Sequence, residues 1–115
     1  MTTSIIFPHI ELSGVRYPRI TIHWYDITGD SAWADKNDFA DFTCSEVVTE
    51  GFLFDVFEKN GTKFIRTFAS YIDEEDGPTF GDRGCFPVDI LKPESRALIE
   101  MAELYTKKST PDLSA

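Results

Sequence analysis

Glu58-Lys59-Asn60-Gly61-Thr62-Lys63 is the stretch on which the fold turns. Asn-Gly accepts the positive φ angles of a two-residue type I′ turn, so the apolar runs on either side, 52–57 and 64–68, read as the two strands of a hairpin. That turn sets Glu58 against Lys63, Asp55 against Arg66, Phe57 against Phe64 and Leu53 against Phe68. Two opposite-charge pairs and two apolar pairs come from one register, and a slip of one residue would destroy them all. Both faces of the hairpin are apolar, with Phe52, Phe54, Val56 and Ile65 on one and Leu53, Phe57, Phe64 and Phe68 on the other. Either the sheet curls into a small barrel with a helix outside it, or the second face is a contact surface for another chain. Gly51 is placed to supply the bend.

Toward the N-terminus, Ile20, Ile22 and Trp24 alternate with Thr21, His23 and Tyr25, the pattern of a half-buried strand. Residues 5–17, broken by Pro8 and Gly14, suit a leading arm or edge strand. Between that strand and the hairpin, residues 26–43 carry five Asp, one Lys and the apolar Trp33, Phe39 and Phe42. This reads as a decorated loop in which Ser31 or Asp35 caps one or two helical turns that lay Phe39 and Phe42 on the core. On the other side, 73–84 (DEEDGPTFGDRG) reads as a long acidic loop, and Cys85 to Leu91 as a short strand in which Pro87 implies an edge position or a bulge. Pro93-Glu94-Ser95 opens a helix to about Lys107, with Leu98, Met101, Ala102 and Tyr105 on one stripe.

The fold class expected is therefore mainly β (α+β): a small curled antiparallel sheet or SH3-like barrel of four to six strands with one C-terminal helix. A single domain over 1–108 and a disordered tail at 109–115 complete it, in keeping with 115 residues of which 42% are hydrophobic. Twenty acidic residues against eleven basic ones give a formal charge of −9, which repels phosphate backbones and makes direct nucleic-acid binding unexpected. The start of the chain lacks a basic n-region and a long apolar run, so no membrane role is indicated and a cytoplasmic location is expected. Cys44 and Cys85 are then free thiols.

Catalysis is not expected. The only histidine bases are His9 and His23, and no local motif pairs either with Cys44 or Cys85. Asp26, Asp30, Asp35, Asp38 and Asp41 lack the ligand spacing of an EF-hand loop, so neither metal nor cofactor is assigned. Gly77, Gly81 and Gly84 match no phosphate-binding fingerprint. What remains for recognition is aromatic: Trp33, Tyr71 and Phe80, in or beside loops, with Asp82 and Arg83 next to the last.

Trp24-Tyr25-Asp26-Ile27, Ser31-Ala32-Trp33, Thr49-Glu50-Gly51-Phe52 and Gly81-Asp82-Arg83 leading to Phe86-Pro87 occur in a telling order. As an ordered set over about residues 20–92 they resemble a group of short proteins of tailed bacteriophages, which read roughly Trp-x-Asp, Ser-x-x-Trp, Thr-x-Gly-aromatic and Gly-Asp…Ile-Pro. The departures are the N-terminal arm, the C-terminal helix and Val88-Asp89, where a basic residue and glycine stand in that pattern. The resemblance implies a phage origin, hence a host-cell cytoplasm, and a small β-barrel, and carries over no activity.

A non-enzymatic protein that engages a host protein through an acidic, aromatic-bearing surface is the first expectation. A sponge for a small signalling nucleotide is the second, stacking a base on Trp33 or Phe80 and holding phosphate with Arg66 or Arg83. An acidic mimic of nucleic acid is the third, and a small hydrolase the last. Arg66 is matched to Asp55 by the hairpin register, which leaves Arg83 as the main loop arginine and favours the protein partner. The surplus of apolar hairpin surface further predicts a homodimer or larger assembly.

Overall fold

The structure, a computed structural model, describes residues 7–109, with side chains to Thr106. Seven strands form two antiparallel sheets. The larger sheet contains β1 (His9–Leu12), β2 (Val15–Asp26), β3 (Ser45–Lys59), β4 (Thr62–Phe68) and β7 (Gly84–Pro87), in the order β1-β2-β3-β4-β7. The smaller is a hairpin of β5 (Ser70–Glu74) and β6 (Gly77–Gly81). Among the described residues there are also two α-helices, a short α1 (Lys36–Ala40) and the C-terminal α2 (Pro93–Ser109). The sheet is open, so the curled-sheet alternative holds and the SH3-like barrel does not. An isolated bridge from Leu91 to Trp24 and the bond from Lys92 N to His23 O at 2.9 Å carry the chain beyond β7 onto the free edge of β2. Those two contacts do not extend into a closing ladder.

Asn60 and Gly61 have φ of 53° and 81°, and the expected pairs Glu58–Lys63, Phe57–Phe64 and Asp55–Arg66 all form. Beyond Asp55 the register shifts by one residue at a β-bulge, so Leu53 pairs with Thr67 and Phe52 with Phe68 in place of the expected Leu53–Phe68. An extra residue leaves two neighbours of one strand opposite a single partner and resets the alternation beyond it. Phe52, Phe54, Phe57, Phe64 and Phe68 thereby fall on one face, while Leu53, Val56 and Ile65 fall on the other. At Gly51 β3 runs close to β4, since a Cβ there would sit 2.9 Å from the carbonyl oxygen of Phe68.

α2 covers the aliphatic face. Ile99, Ala102 and Tyr105 pack with Ile20, Ile22, Leu53, Ile65 and Leu91, and Leu98 joins from the margin. Met101, expected on this stripe, is exposed, and Ile99 holds the central position. The ends of the helix are fixed by polar contacts: Ser95 Oγ accepts from His23 N at 2.8 Å, and Tyr105 Oη accepts from Arg16 Nη1 at 3.1 Å. Trp24 lies at the edge of this core with its indole N–H satisfied by Thr49 Oγ1 at 2.8 Å.

β5 and β6 cover the centre of the aromatic face. The acidic segment expected as a loop at 73–84 instead supplies the turn and second strand of this hairpin, in which Tyr71 pairs with Phe80 and Glu74 with Gly77. Phe80 packs on Phe68, Phe54 and Tyr17, with centroids 4.6, 5.1 and 5.6 Å away. β7 occupies an edge, as Pro87 allows, but it is shorter than expected: a 3₁₀ turn, Val88–Ile90, precedes Leu91. β1 is the other edge strand, and residues 1–6 of the leading arm lie outside the described ones. The tail expected at 109–115 is likewise outside them, except for Ser109, which closes α2.

Asp35 caps α1, its side chain accepting from Asp38 N at 2.8 Å, but the helix buries nothing. Phe39 and Phe42, expected on the core, are 66% and 42% exposed because the segment is carried outward at the end of β2 and β3. The two positions offer opposite controls. Ile65→Ala, at a completely buried site, is expected to cost about 2–5 kcal/mol in urea denaturation, and Phe39→Ala to stay within about 0.5 kcal/mol. Equal losses would contradict this division of core and arm.

Candidate functional site

Two surfaces gather the residues singled out from sequence, and they lie on different elements. The first is the end of the β2–β3 ribbon. Every residue from Tyr25 to Glu46 is exposed, and Trp33 is as accessible as in an extended chain. The arm nevertheless has internal order. Asp30 Oδ1 accepts from Ala32 N at 2.9 Å, Phe39 N donates to Asp35 O at 2.9 Å, and the Phe39 and Phe42 rings stand 6.0 Å apart. Ile27, Trp33, Phe39 and Phe42 are thus presented to solvent among five carboxylates.

The root of the ribbon is held electrostatically. Glu46 Oε1 lies 2.9 Å from Lys92 Nζ and 3.7 Å from His23 Nδ1, joining β3 to the start of α2. The hydrogen bond from Lys92, and then its charge, hold the Glu46 carboxyl below the usual carboxylate range; the same bond holds the Lys92 ammonium above its ordinary value.

The second surface is a cleft of about 300 Å³ between the aromatic face and the β5–β6 hairpin. Phe54, Phe68 and Phe80 form its apolar lining, Thr67 and Thr79 also line it, and Arg66 and Arg83 bring two guanidinium groups. Arg66 is committed: it donates Nε to Asp55 Oδ1 at 2.7 Å and Nη2 to Asp55 Oδ2, and its guanidinium lies over the Phe57 ring at 4.4 Å. The bidentate bond to Asp55 raises its pKa further. Asp82, at φ 50°, accepts from Ser70 Oγ and so fixes the link from which Arg83 emerges.

Of the sequence-predicted residues, Phe80 and Arg83 meet in the cleft, Asp82 supports it, and Tyr71 lies beside it on β5. Trp33 belongs to the arm. Tyr71 and Phe80 stand in strands, not in loops. The sequence reading names Arg66 as a possible phosphate holder as well as the partner of Asp55, but places Phe54 only in the sheet, and the bulge that turns Phe54 toward the cleft has no sequence signal as plain as Asn-Gly. Cys44 and Cys85 are both free and exposed. Among the described residues no group of three or more His, Cys, Asp or Glu could hold a metal ion, and no helix is long and apolar enough to cross a membrane. Comparison of the chain with protein-family models, with curated proteins and with solved structures finds no match.

The ion pair at the root of the arm has a definite pH signature. Glu46 titrates lower in the folded state, so its stabilising contribution is present above the unfolded carboxylate value and is lost as pH falls through the folded one. Lys92 is raised, so its contribution is present below the unfolded ammonium value and is lost as pH rises through the folded one. Carbon-detected NMR titration should place the Glu46 midpoint below that of an ordinary glutamate, and Lys92→Met should move it up. An unchanged midpoint in the variant would show that the pair does not form.

Proposed function

We propose that this protein is a non-enzymatic binding module that docks on a partner protein through the arm at 25–46. The observation that carries this reading is the exposure of Trp33, Phe39 and Ile27 on a segment that contributes nothing to either core. Large aromatic side chains are the usual energetic anchors of protein interfaces, and a cluster of them on ordered backbone loses little entropy on binding. The surrounding carboxylates define the partner's chemistry: an apolar pocket with a Lys- or Arg-bearing rim, toward which the −9 chain is steered. Interleaving of Asp with apolar residues across 26–43 favours this over a decoy of nucleic acid, which needs charge without hydrophobic anchors.

The resemblance to tailed-phage proteins makes a host cytoplasmic protein the partner in this reading. The expected homodimer also finds a place in it. Because β5 and β6 cover the centre of the aromatic face, the larger remaining apolar exposure is on the arm, and self-association would run through Trp33.

Affinity capture from bacterial lysate with the wild-type chain, Trp33→Ala and Phe39→Ala tests the reading, with light scattering on the same samples. A specific partner retained by the wild type is expected to be lost at least about tenfold with Trp33→Ala and to release with rising salt. Retention that is indifferent to both arm substitutions would overturn the proposal. Any dimer should dissociate with the same Trp33 variant.

A further inference from the structure

The cleft is not explained by a docking arm. We propose that it is a binding site for a small planar anion: one ring system bearing a single carboxylate or phosphate.

The apolar part of the ligand follows from the lining. Phe54, Phe68 and Phe80 surround a space of about 300 Å³, near the lower bound of ligand pockets, which suits one or two fused rings. Their rings pack edge to face on one another, with the Phe54–Phe80 planes 75° apart and the Phe68–Phe80 planes 63° apart, so Phe54 and Phe80 form a rigid aromatic wall backed by the buried Phe68.

The charge follows from the two arginines, which are not equivalent. Asp55 neutralises Arg66 and occupies two of its donors, leaving that guanidinium to contribute as a flat, fixed wall. Arg83 makes no ion pair among the described residues and is exposed at the mouth. Its backbone is nevertheless anchored on both sides. The Asp82 carboxylate turns to Ser70, and Gly84 is packed so closely that a Cβ would lie 2.8 Å from the Phe86 ring and 2.9 Å from Thr67 Oγ1. A fixed root with an unpaired guanidinium gives the site one uncompensated positive charge, in a chain where acids outnumber bases twenty to eleven. One cation at the rim of an aromatic cleft matches one anionic group on a ring. A neutral ring would bury against the phenylalanines but leave Arg83 unused.

Titration of the ¹⁵N-labelled chain with 1-naphthoate, adenosine 5′-monophosphate and the neutral 1-naphthamide decides the matter. At least one anion is expected to give saturable amide shifts confined to 79–83 and the neighbourhood of Arg66, with 1-naphthamide at least about tenfold weaker than 1-naphthoate. Preference between the two anions distinguishes a carboxylate from a phosphate ligand. Arg83→Gln should weaken binding about tenfold, Arg83→Lys should restore part of it, and Trp33→Ala should leave it unchanged. No saturable shift with either anion, equal binding of amide and carboxylate, or undiminished binding by a folded Arg83→Gln chain would each overturn the proposal. Should Arg83→Gln fail to give a native amide spectrum, the carboxylate–amide comparison on the wild-type chain still decides. Loss of the arm's partner with Trp33→Ala would leave these results untouched, so the two readings fail separately.

Discussion

The bulge beside Phe54 is the constraint on which the rest of the molecule depends. An unbroken hairpin from Asn60-Gly61 would put Leu53 and Phe57 on one face and Phe52, Phe54 and Val56 on the other, leaving two mixed surfaces. One inserted residue shifts everything on its far side by a position and sorts the strand pair by shape. Branched aliphatic side chains go to the face that a helix can cover with Ile99, Ala102 and Leu98. Flat aromatic ones go to the face that meets Tyr17 and Phe80. Helix α2 and the β5–β6 hairpin can then each cover one side of a single sheet, which needs no closure into a barrel to bury both.

The same strands that make the core also carry the arm. Past Trp24, where Leu91 bridges, the β2–β3 ladder continues only through Tyr25–Glu46 and Asp26–Ser45, and the segment between them, with α1, forms the arm. A two-stranded end of this kind is poorly stable alone. Here the Leu91 bridge to Trp24, the Lys92–Glu46 bond and the Ser95 cap on His23 brace its root. The radius of gyration, 18.0 Å, is well above the roughly 13 Å typical of a 100-residue globule, as a projecting element requires. Exposed aromatics on a braced support are a different physical object from the same residues on a loose loop. The backbone at the root of the arm is held before any partner arrives, so less backbone freedom remains to be lost.

Features governed by local chemistry were legible in the sequence, and those governed by long-range packing were not. Asn60-Gly61 marks its turn, the alternation from Ile20 to Tyr25 its strand, Ser31 or Asp35 a helix cap, and Pro87 an edge or a bulge. The bulge escaped because nothing in Leu53-Phe54-Asp55 demands it; only the presence of α2 on one face and Phe80 on the other selects it. β5 escaped for the opposite reason. Its five residues are all exposed, so it lacks the apolar alternation that marks a buried strand and exists through its pairing with β6. Met101 falls on the expected helical stripe and Ile99 does not, yet the sheet buries Ile99 and leaves Met101 exposed. Phe80 and Arg83 could be chosen as recognition residues by type and position, whereas Phe54 joins them only through the bulge.

Sign of charge separates the two surfaces more firmly than distance does. The arm presents five aspartates and attracts basic rims, while the cleft exposes one unpaired arginine within a strongly negative chain. At long range an anion approaching the cleft feels net repulsion, which physiological salt screens beyond about 8 Å. Attraction begins only inside that distance, where Arg83 acts on the ligand directly and the phenylalanines take its ring out of water. Occupancy of the cleft is therefore governed by contact chemistry and not by steering, so raising the ionic strength should weaken the arm's interactions much more than the cleft's. A ligand that entered by electrostatic attraction alone would be drawn elsewhere, and the aromatic lining supplies the selectivity that the charge of the chain cannot.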